Sequence, residues 1–331
     1  MPWDALQTAD GKPKSPPYAS MFSVNAGSYI PGLSFATSGL QPNPVASEQL
    51  KEALKMGIVH IEICNFNHAT ELRKIMEKDR IPRSNVFLSA RWQHSTEPIA
   101  AKTVERLLKI LNFETLDLLI MNEPKAKIAD IGPRWAQMEK AKQMGLVRNI
   151  GVLNFDRDQM VEVFIKAKHT SRPAVNQLPA FNPYADPAVL EVVELCRSLG
   201  VVIMAGEILQ PATSLMATVL TAPLTEIAKR VANGPNKIPT SAAQVLLAWA
   251  KIKGVAPMLT KIDPKWPKDI LEVGHIPSSL TPIDLRLIDL IGAEKFRREA
   301  TSAQKNAIYR AVGATVAEKA AGAVVNQVLG L

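Results

Sequence analysis

The chain has 331 residues, a formal net charge of +8 and an apolar content of 47%. These values exclude a mostly disordered or fibrous protein and suit one large α/β domain. Two cysteines, Cys64 and Cys196, are too few for a disulfide scaffold and point to a reducing, cytoplasmic setting.

Residues 1–21 are rich in Pro, Ser and Lys, lack the apolar core of a secretory signal, and read as a flexible tail. No apolar run reaches the roughly 18 residues that argue a membrane span. From Phe22 onward, short β-rich runs alternate with helical patterns. The strand candidates are Gly32–Thr37, Val59–Cys64, Val86–Ala90, Leu116–Met121, Asn149–Leu153, Ala174–Gln177, Val201–Ala205 and Val255–Thr260. Their Val/Ile/Leu content suits strands covered on both faces. Helix starts are signalled by Ser47, by Asp156 with Gln159, by Asp186-Pro187, by Thr240 and by Thr281-Pro282. Gly57, Gly200 and Gly254 mark stops.

Eight strands, each leading to a helix, predict a closed (β/α)8 TIM barrel over residues 22–293. The rival is an open doubly wound sheet. No G-x-G-x-x-G follows the first strand and no G-x-x-x-x-G-K-[ST] occurs, so the usual phosphate cradles of that rival are missing. Residues 294–331, rich in Ala, Val, Lys and Arg, predict a helical extension packed on the barrel.

A barrel carries its chemistry at the C-terminal strand ends. Those ends deliver Thr37, Glu62, Asn67, Arg91 with Trp92, Asn122 with Glu123, Asn154, Gln177, Glu207 and Lys261. Glu62 stands out, because a carboxylate inside the run His60-Ile61-Glu62-Ile63-Cys64 needs a partner, and Arg91 or Lys261 can supply one. Trp92 is expected either to stack on a flat ligand or to close the rim. The five histidines form no metal-ligand spacing, so no metal is expected. Lys and Arg are spread along the chain without interleaved aromatics, which argues against nucleic acid. The expected partner is a small molecule, with the chain a monomer or weak homodimer and no membrane association.

At these residues the sequence resembles the aldo-keto reductase superfamily from about Phe22 to Leu290. The matching segments are Phe22–Gly27 with Ile30-Pro31 (an N-terminal hairpin), Gly57-x-x-His60-Ile61-Glu62, Leu116-Asp117-Leu118 with Pro124, Ile150-Gly151-Val152-Leu153-Asn154-Phe155, and Val175-Asn176-Gln177 followed by Asn182-Pro183-Tyr184. The resemblance implies a (β/α)8 barrel and NADPH-dependent carbonyl reduction. It also implies a catalytic tetrad of Asp, Tyr, Lys and His, whose positions fall here on Glu62, Asn67, Arg91 and Asn122. Asn154 and Gln177 match the residues that hold the nicotinamide carboxamide, and Lys261 matches the lysine at the adenosine phosphate. The nicotinamide-stacking aromatic falls on Gly206, the serine beside Asn154 on Leu153, the serine after the lysine on Ile262, and the nearby arginine on Pro267 or Lys268.

An asparagine amide cannot release a proton near neutral pH, and an arginine is not a tunable partner. From this we expect carbonyl reduction to be lost, no cofactor to be required, and NADP(H) affinity to be weakened. The main functional expectation is a non-redox isomerase, dehydratase or cyclase acting on a carbonyl-bearing small molecule. Glu62 would be its acid or base, and Arg91, Asn67 and Asn122 its oxyanion donors. Trp92, Glu123 and Glu207 would contact substrate. One alternative is an NADP(H)-dependent oxidoreductase with a replacement proton donor, drawn from Glu62, Glu123 or His94, with Tyr184 a poorer choice. The other is a non-catalytic binding protein that uses its C-terminal helices as an interaction surface.

Overall fold

A hairpin precedes everything else in the fold. β1 (Met21–Val24) and β2 (Ser28–Pro31) pair antiparallel, with Phe22 opposite Ile30. In this computed structural model, residues 21–24, 28–40, 44–123, 125–213, 218–234, 240–263, 271 and 279–299 are described. Then follow β3 (Ser34–Ala36), α1 (Val45–Lys55), β4 (His60–Ile63), α2 (Phe66–Lys78), β5 (Phe87–Trp92), α3 (Ala100–Leu111), β6 (Leu116–Met121) and α4 (Ile128–Gln143). The second half runs β7 (Val147–Leu153), α5 (Arg157–Lys166), β8 (Val175–Leu178), α6 (Pro187–Ser198) and β9 (Val202–Ala205). It continues with the short α7 (Gln210–Thr213), α8 (Thr221–Ala232), α9 (Ala242–Ile252), β10 (Val255–Leu259) and α10 (Pro282–Glu299).

The strands β3 to β10 close into a parallel barrel, with β10 pairing back onto β3 through Met258 opposite Ser34. All eight strand candidates are found there. Alternation sorts their side chains. Ile61 and Ile63 of β4 join the large cluster beneath the helices, with Leu88, Ala90, Leu119, Ile150, Ile203 and Leu259. His60 and Glu62, one residue out of phase, face the lumen. At the N-terminal end the lumen is apolar: Val24 and Ile30 of the hairpin pack with Phe87, Leu118, Val175, Val202 and Met204. Ser28 Oγ donates to Asn149 Oδ1 at 2.8 Å and ties the hairpin to the barrel. The lumen is therefore plugged at one end and polar at the other.

Helix starts follow local chemistry, with two corrections. Asp156 and Gln159 form the expected capping box, and Asp186 caps α6 by accepting from the Ala188 N–H at 2.9 Å. Thr281 Oγ1 accepts the Asp284 N–H at 3.2 Å at the start of α10. Ser47, by contrast, lies inside α1, which begins two residues earlier behind Pro44. Ser241 rather than Thr240 caps α9, because only Ser241 stands three residues ahead of Gln244 and completes a reciprocal box. Gly200 and Gly254 end α6 and α9 with φ of +68° and +77°, a conformation that side chains disfavour.

α10 runs unbroken through the expected boundary at residue 293/294. Of the expected N-terminal tail (residues 1–21), Met21 begins β1 and residues 1–20 lie outside the described residues, as do the rest of the C-terminal extension (residues 300–331), Asn25–Gly27, Pro124, Pro267 and Lys268. No helix among the described residues is long and apolar enough to cross a membrane.

Candidate active site

The strand-end residues gather at the C-terminal rim, and Glu62 anchors them. Its strand register sets it beside Ala36 of β3 and Ser89 of β5. Its side chain is fully enclosed, and Oε1 pairs with Arg91 Nη2 at 2.6 Å. Arg91, rather than Lys261, is thus the partner that the buried carboxylate requires. The pair is graded in depth: Glu62 has no exposed side-chain surface, whereas 18% of the Arg91 side chain remains open. Among the described residues, Arg91 Nε and Glu62 Oε2 are buried without a hydrogen-bond partner. Such orphans are costly; the Arg91 Nε–H is a donor left for an oxygen acceptor, whereas Oε2 is sealed in with the rest of the Glu62 side chain.

The sequence reading missed Cys64. Its Sγ lies 3.4 Å from Glu62 Oε1, and its N–H donates to Thr37 Oγ1 at 3.1 Å. Thr37 in turn donates both its hydroxyl and its N–H to the Glu62 carbonyl. Burial first, then the Glu62 charge, pushes the Cys64 thiol up to about 12, so it keeps its proton. Only the spacing of two within a strand hinted at this, since residues i and i+2 share a face. Directly below, His60 Nε2 meets Ser89 Oγ at 2.8 Å and its ring packs edge-on to Phe87. Burial pushes His60 down to about 3, so it is neutral.

Asn67 is the second residue of α2 and is exposed, while Asn122 is half-buried just past β6, its N–H donating to Trp92 O at 2.7 Å. Asn154 is exposed beyond β7 with φ +52°, its N–H donating to Gln177 O at 2.7 Å. Asn176 braces that loop by bonding both the N–H and the C=O of Phe155. Gln177 is buried and faces the lumen, and its Oε1 has no hydrogen-bond partner among the described residues. Lys261 is exposed just past β10, and the next residue, Ile262, is buried with its N–H and C=O both bonded to Gln49.

Of the three expected substrate contacts, Trp92 and Glu123 are engaged elsewhere. Trp92 faces the helices, fully buried, with Nε1 donating to Glu97 O at 2.7 Å; it closes the rim and cannot stack on a ligand in the lumen. Glu123 is consumed as a brace, Oε2 on Arg134 Nη1 at 2.6 Å and Oε1 on the His94 N–H at 2.7 Å. Glu207 is exposed just past β9, with φ +55°. Among the described residues, no group of three or more His, Cys, Asp or Glu is arranged to hold a metal ion.

The rim fits a nicotinamide at one point and departs from the family pattern at another. The orphaned Gln177 Oε1 is the acceptor that a carboxamide NH2 requires. Gly206 cannot carry an aromatic without backbone movement, since a Cβ there would lie 2.5 Å from Pro179 O.

With this geometry in view, comparison with known proteins is informative. The profile described as "Aldo/keto reductase family" matches residues 34–289. An NAD/NADP-dependent indole-3-acetaldehyde reductase of Schizosaccharomyces pombe is 28% identical over 260 residues, covering 77% of this chain and 87% of that protein. Aldo-keto reductase family 1 member C15 of Rattus norvegicus is 27% identical, covering 80% and 89%. An NADPH-dependent alpha-keto amide reductase of Saccharomyces cerevisiae is 24% identical, covering 75% and 83%. Among solved structures, an aldo/keto reductase from Brucella melitensis superposes with a TM-score of 0.65 at 22% identity, covering 82% of this chain and 99% of that one.

These findings overturn two expectations, a non-redox isomerase, dehydratase or cyclase and a protein that requires no cofactor. The relatives are named as reductases, two of them as nicotinamide-dependent. The physical error lay in equating one proton donor with the whole reaction. A general acid contributes about 10²–10⁴-fold of an enzyme's total acceleration, and hydride chemistry is the cofactor's own. Closed barrel, polar rim and a family match over most of the length agree, and the chain belongs to the aldo/keto reductase family.

Proposed function

We propose that this protein is an NAD(P)H-dependent oxidoreductase that reduces the carbonyl of a small organic molecule, with Arg91 serving the carbonyl oxygen. The observation that carries this reading is the Arg91–Glu62 pair: an enclosed carboxylate holding an arginine whose side chain stays 18% exposed and whose Nε–H has no hydrogen-bond partner among the described residues. Gln177 and Asn154 would hold the nicotinamide carboxamide, and Lys261 would meet the adenosine phosphate. The bound nicotinamide supplies the hydride.

Arg91 polarises the carbonyl and then holds the alkoxide by charge-assisted hydrogen bonds, the kind of preorganised donor that is worth about 2.7–4 kcal/mol. Glu62 acts through Arg91: sealed from solvent, it fixes the direction of the guanidinium and compensates its charge. The rim amides of Asn67 and Asn122 add neutral donors. Water at the open mouth delivers the proton, which dispenses with a dedicated acid. Glu123, held by Arg134 and the His94 N–H, has no free oxygen for that role.

The test follows the absorbance of NADPH and of NADH against a panel of aryl aldehydes, aliphatic aldehydes and α-keto amides, with the alcohol quantified. Reduced cofactor consumed in step with alcohol formed supports the reading. No turnover across the panel, together with no quenching of protein fluorescence by either dinucleotide, overturns it.

A further inference from the structure

Glu62 divides its contacts unevenly. Oε1 meets both Arg91 Nη2, at 2.6 Å, and Cys64 Sγ, at 3.4 Å, while Oε2 is buried and meets no donor. One bond from Arg91 leaves the carboxylate free to turn about its last torsion, which is broad and two-fold. A second donor on the same oxygen removes that freedom. Cys64 is itself fixed, because its N–H is held by Thr37, whose own hydroxyl and N–H are bonded to the Glu62 carbonyl.

We propose that Cys64 is a positioning residue: its thiol pins Glu62 Oε1 in place, so that Arg91 presents its guanidinium to the reacting oxygen in one orientation and Oε2 stays unoccupied. The orphaned, enclosed Oε2 is the independent sign, since an unpinned carboxyl would rotate to share its donors between its two oxygens. The thiol remains protonated and so stays a donor across the neutral range. This inference rests on the reductase reading for its catalytic consequence, but the contact itself is testable without turnover.

Alkylation of Cys64 by iodoacetamide, mapped by peptide mass spectrometry to separate it from Cys196, reads the contact. Glu62→Gln removes a charge that opposes thiolate formation and is expected to speed alkylation by about threefold or more; Arg91→Met removes a charge that favours it and is expected to slow alkylation. Unfolding would speed both, so opposite directions cannot arise from misfolding. Rates that are unchanged, or that move together, overturn the contact. In turnover, Cys64→Ala is expected to lower kcat about five- to tenfold with KM unchanged, the range for the net loss of one ordinary hydrogen bond, as suits the weak S–H donor. Cys64→Ser, which restores a donor, is expected to recover kcat to within about twofold. A Cys64→Ala enzyme with wild-type kcat overturns the positioning role. Opposed alkylation rates in a protein that reduces no carbonyl would instead leave the contact standing and remove the reductase reading.

Discussion

Arg91 and His60 show how one barrel lumen treats two ionisable side chains differently. Arg91 is charged throughout: burial lowers its pKa, and the Glu62 carboxylate 2.6 Å away more than offsets this, leaving it raised. Arg91→Met should therefore lower kcat/KM for carbonyl reduction by about 10²–10³-fold, measured by steady-state kinetics, with the fold intact by circular dichroism. His60 meets Ser89, Phe87 and a Pro31 backbone group, none of them charged, and burial holds it neutral, down to about 3. Its folded pKa lies below its unfolded value of about 6.5. Below pH 6.5 the unfolded chain takes up a proton that the folded chain refuses, so this contribution is complete above 6.5 and is lost as pH falls toward 3. Urea unfolding across that window should show stability falling by on the order of 3–5 kcal/mol from this group, and His60→Gln should flatten the dependence.

Elements are joined by buried polar residues whose partners lie far away in sequence. Asp117 on β6 accepts from the Leu88 N–H on β5 at 2.7 Å and pairs with Arg83 and Arg148, with almost no exposure. Asp117→Ala strips two cations and a strand N–H at once, and an equilibrium unfolding measurement should show a loss of about 3–5 kcal/mol. Caps act on the smaller scale. Ser241→Ala should cost about 1 kcal/mol in the same measurement, and Thr240→Ala less, because the α9 box is built on Ser241. That pair of variants separates the observed cap from the one that the sequence suggested. Strand existence, by contrast, was legible throughout: eight Val/Ile/Leu runs at even spacing leave little choice once each is followed by an amphipathic helix. Cap positions were not, because Thr240 and Ser241 are chemically alike and only the three-residue interval to Gln244 separates them.

For the whole molecule, the consequence is a barrel plugged by its hairpin at the N-terminal end, with its polar residues set at the C-terminal rim. NADPH at about 100 times its dissociation constant should add about 2.7 kcal/mol to stability, seen as a rise in thermal midpoint. Gln177→Leu should weaken that rise, because it removes a buried acceptor that a carboxamide NH2 would satisfy.

The primary structure by itself determined the βα alternation, the barrel and the set of polar residues brought to one rim, because these follow from apolar periodicity and from which residue ends each strand; the family was legible separately, through the resemblance of short motif segments such as Ile150–Phe155 and Val175–Gln177. Only the tertiary structure decided which of those polar residues work together. Trp92 follows Arg91 directly, yet the pleat turns it to the helices while Arg91 enters the lumen. Glu123 was claimed by Arg134 from α4, and Cys64 was brought onto Glu62. Pairing across strands depends on register and depth in the closed barrel, and no stretch of chain encodes either one alone.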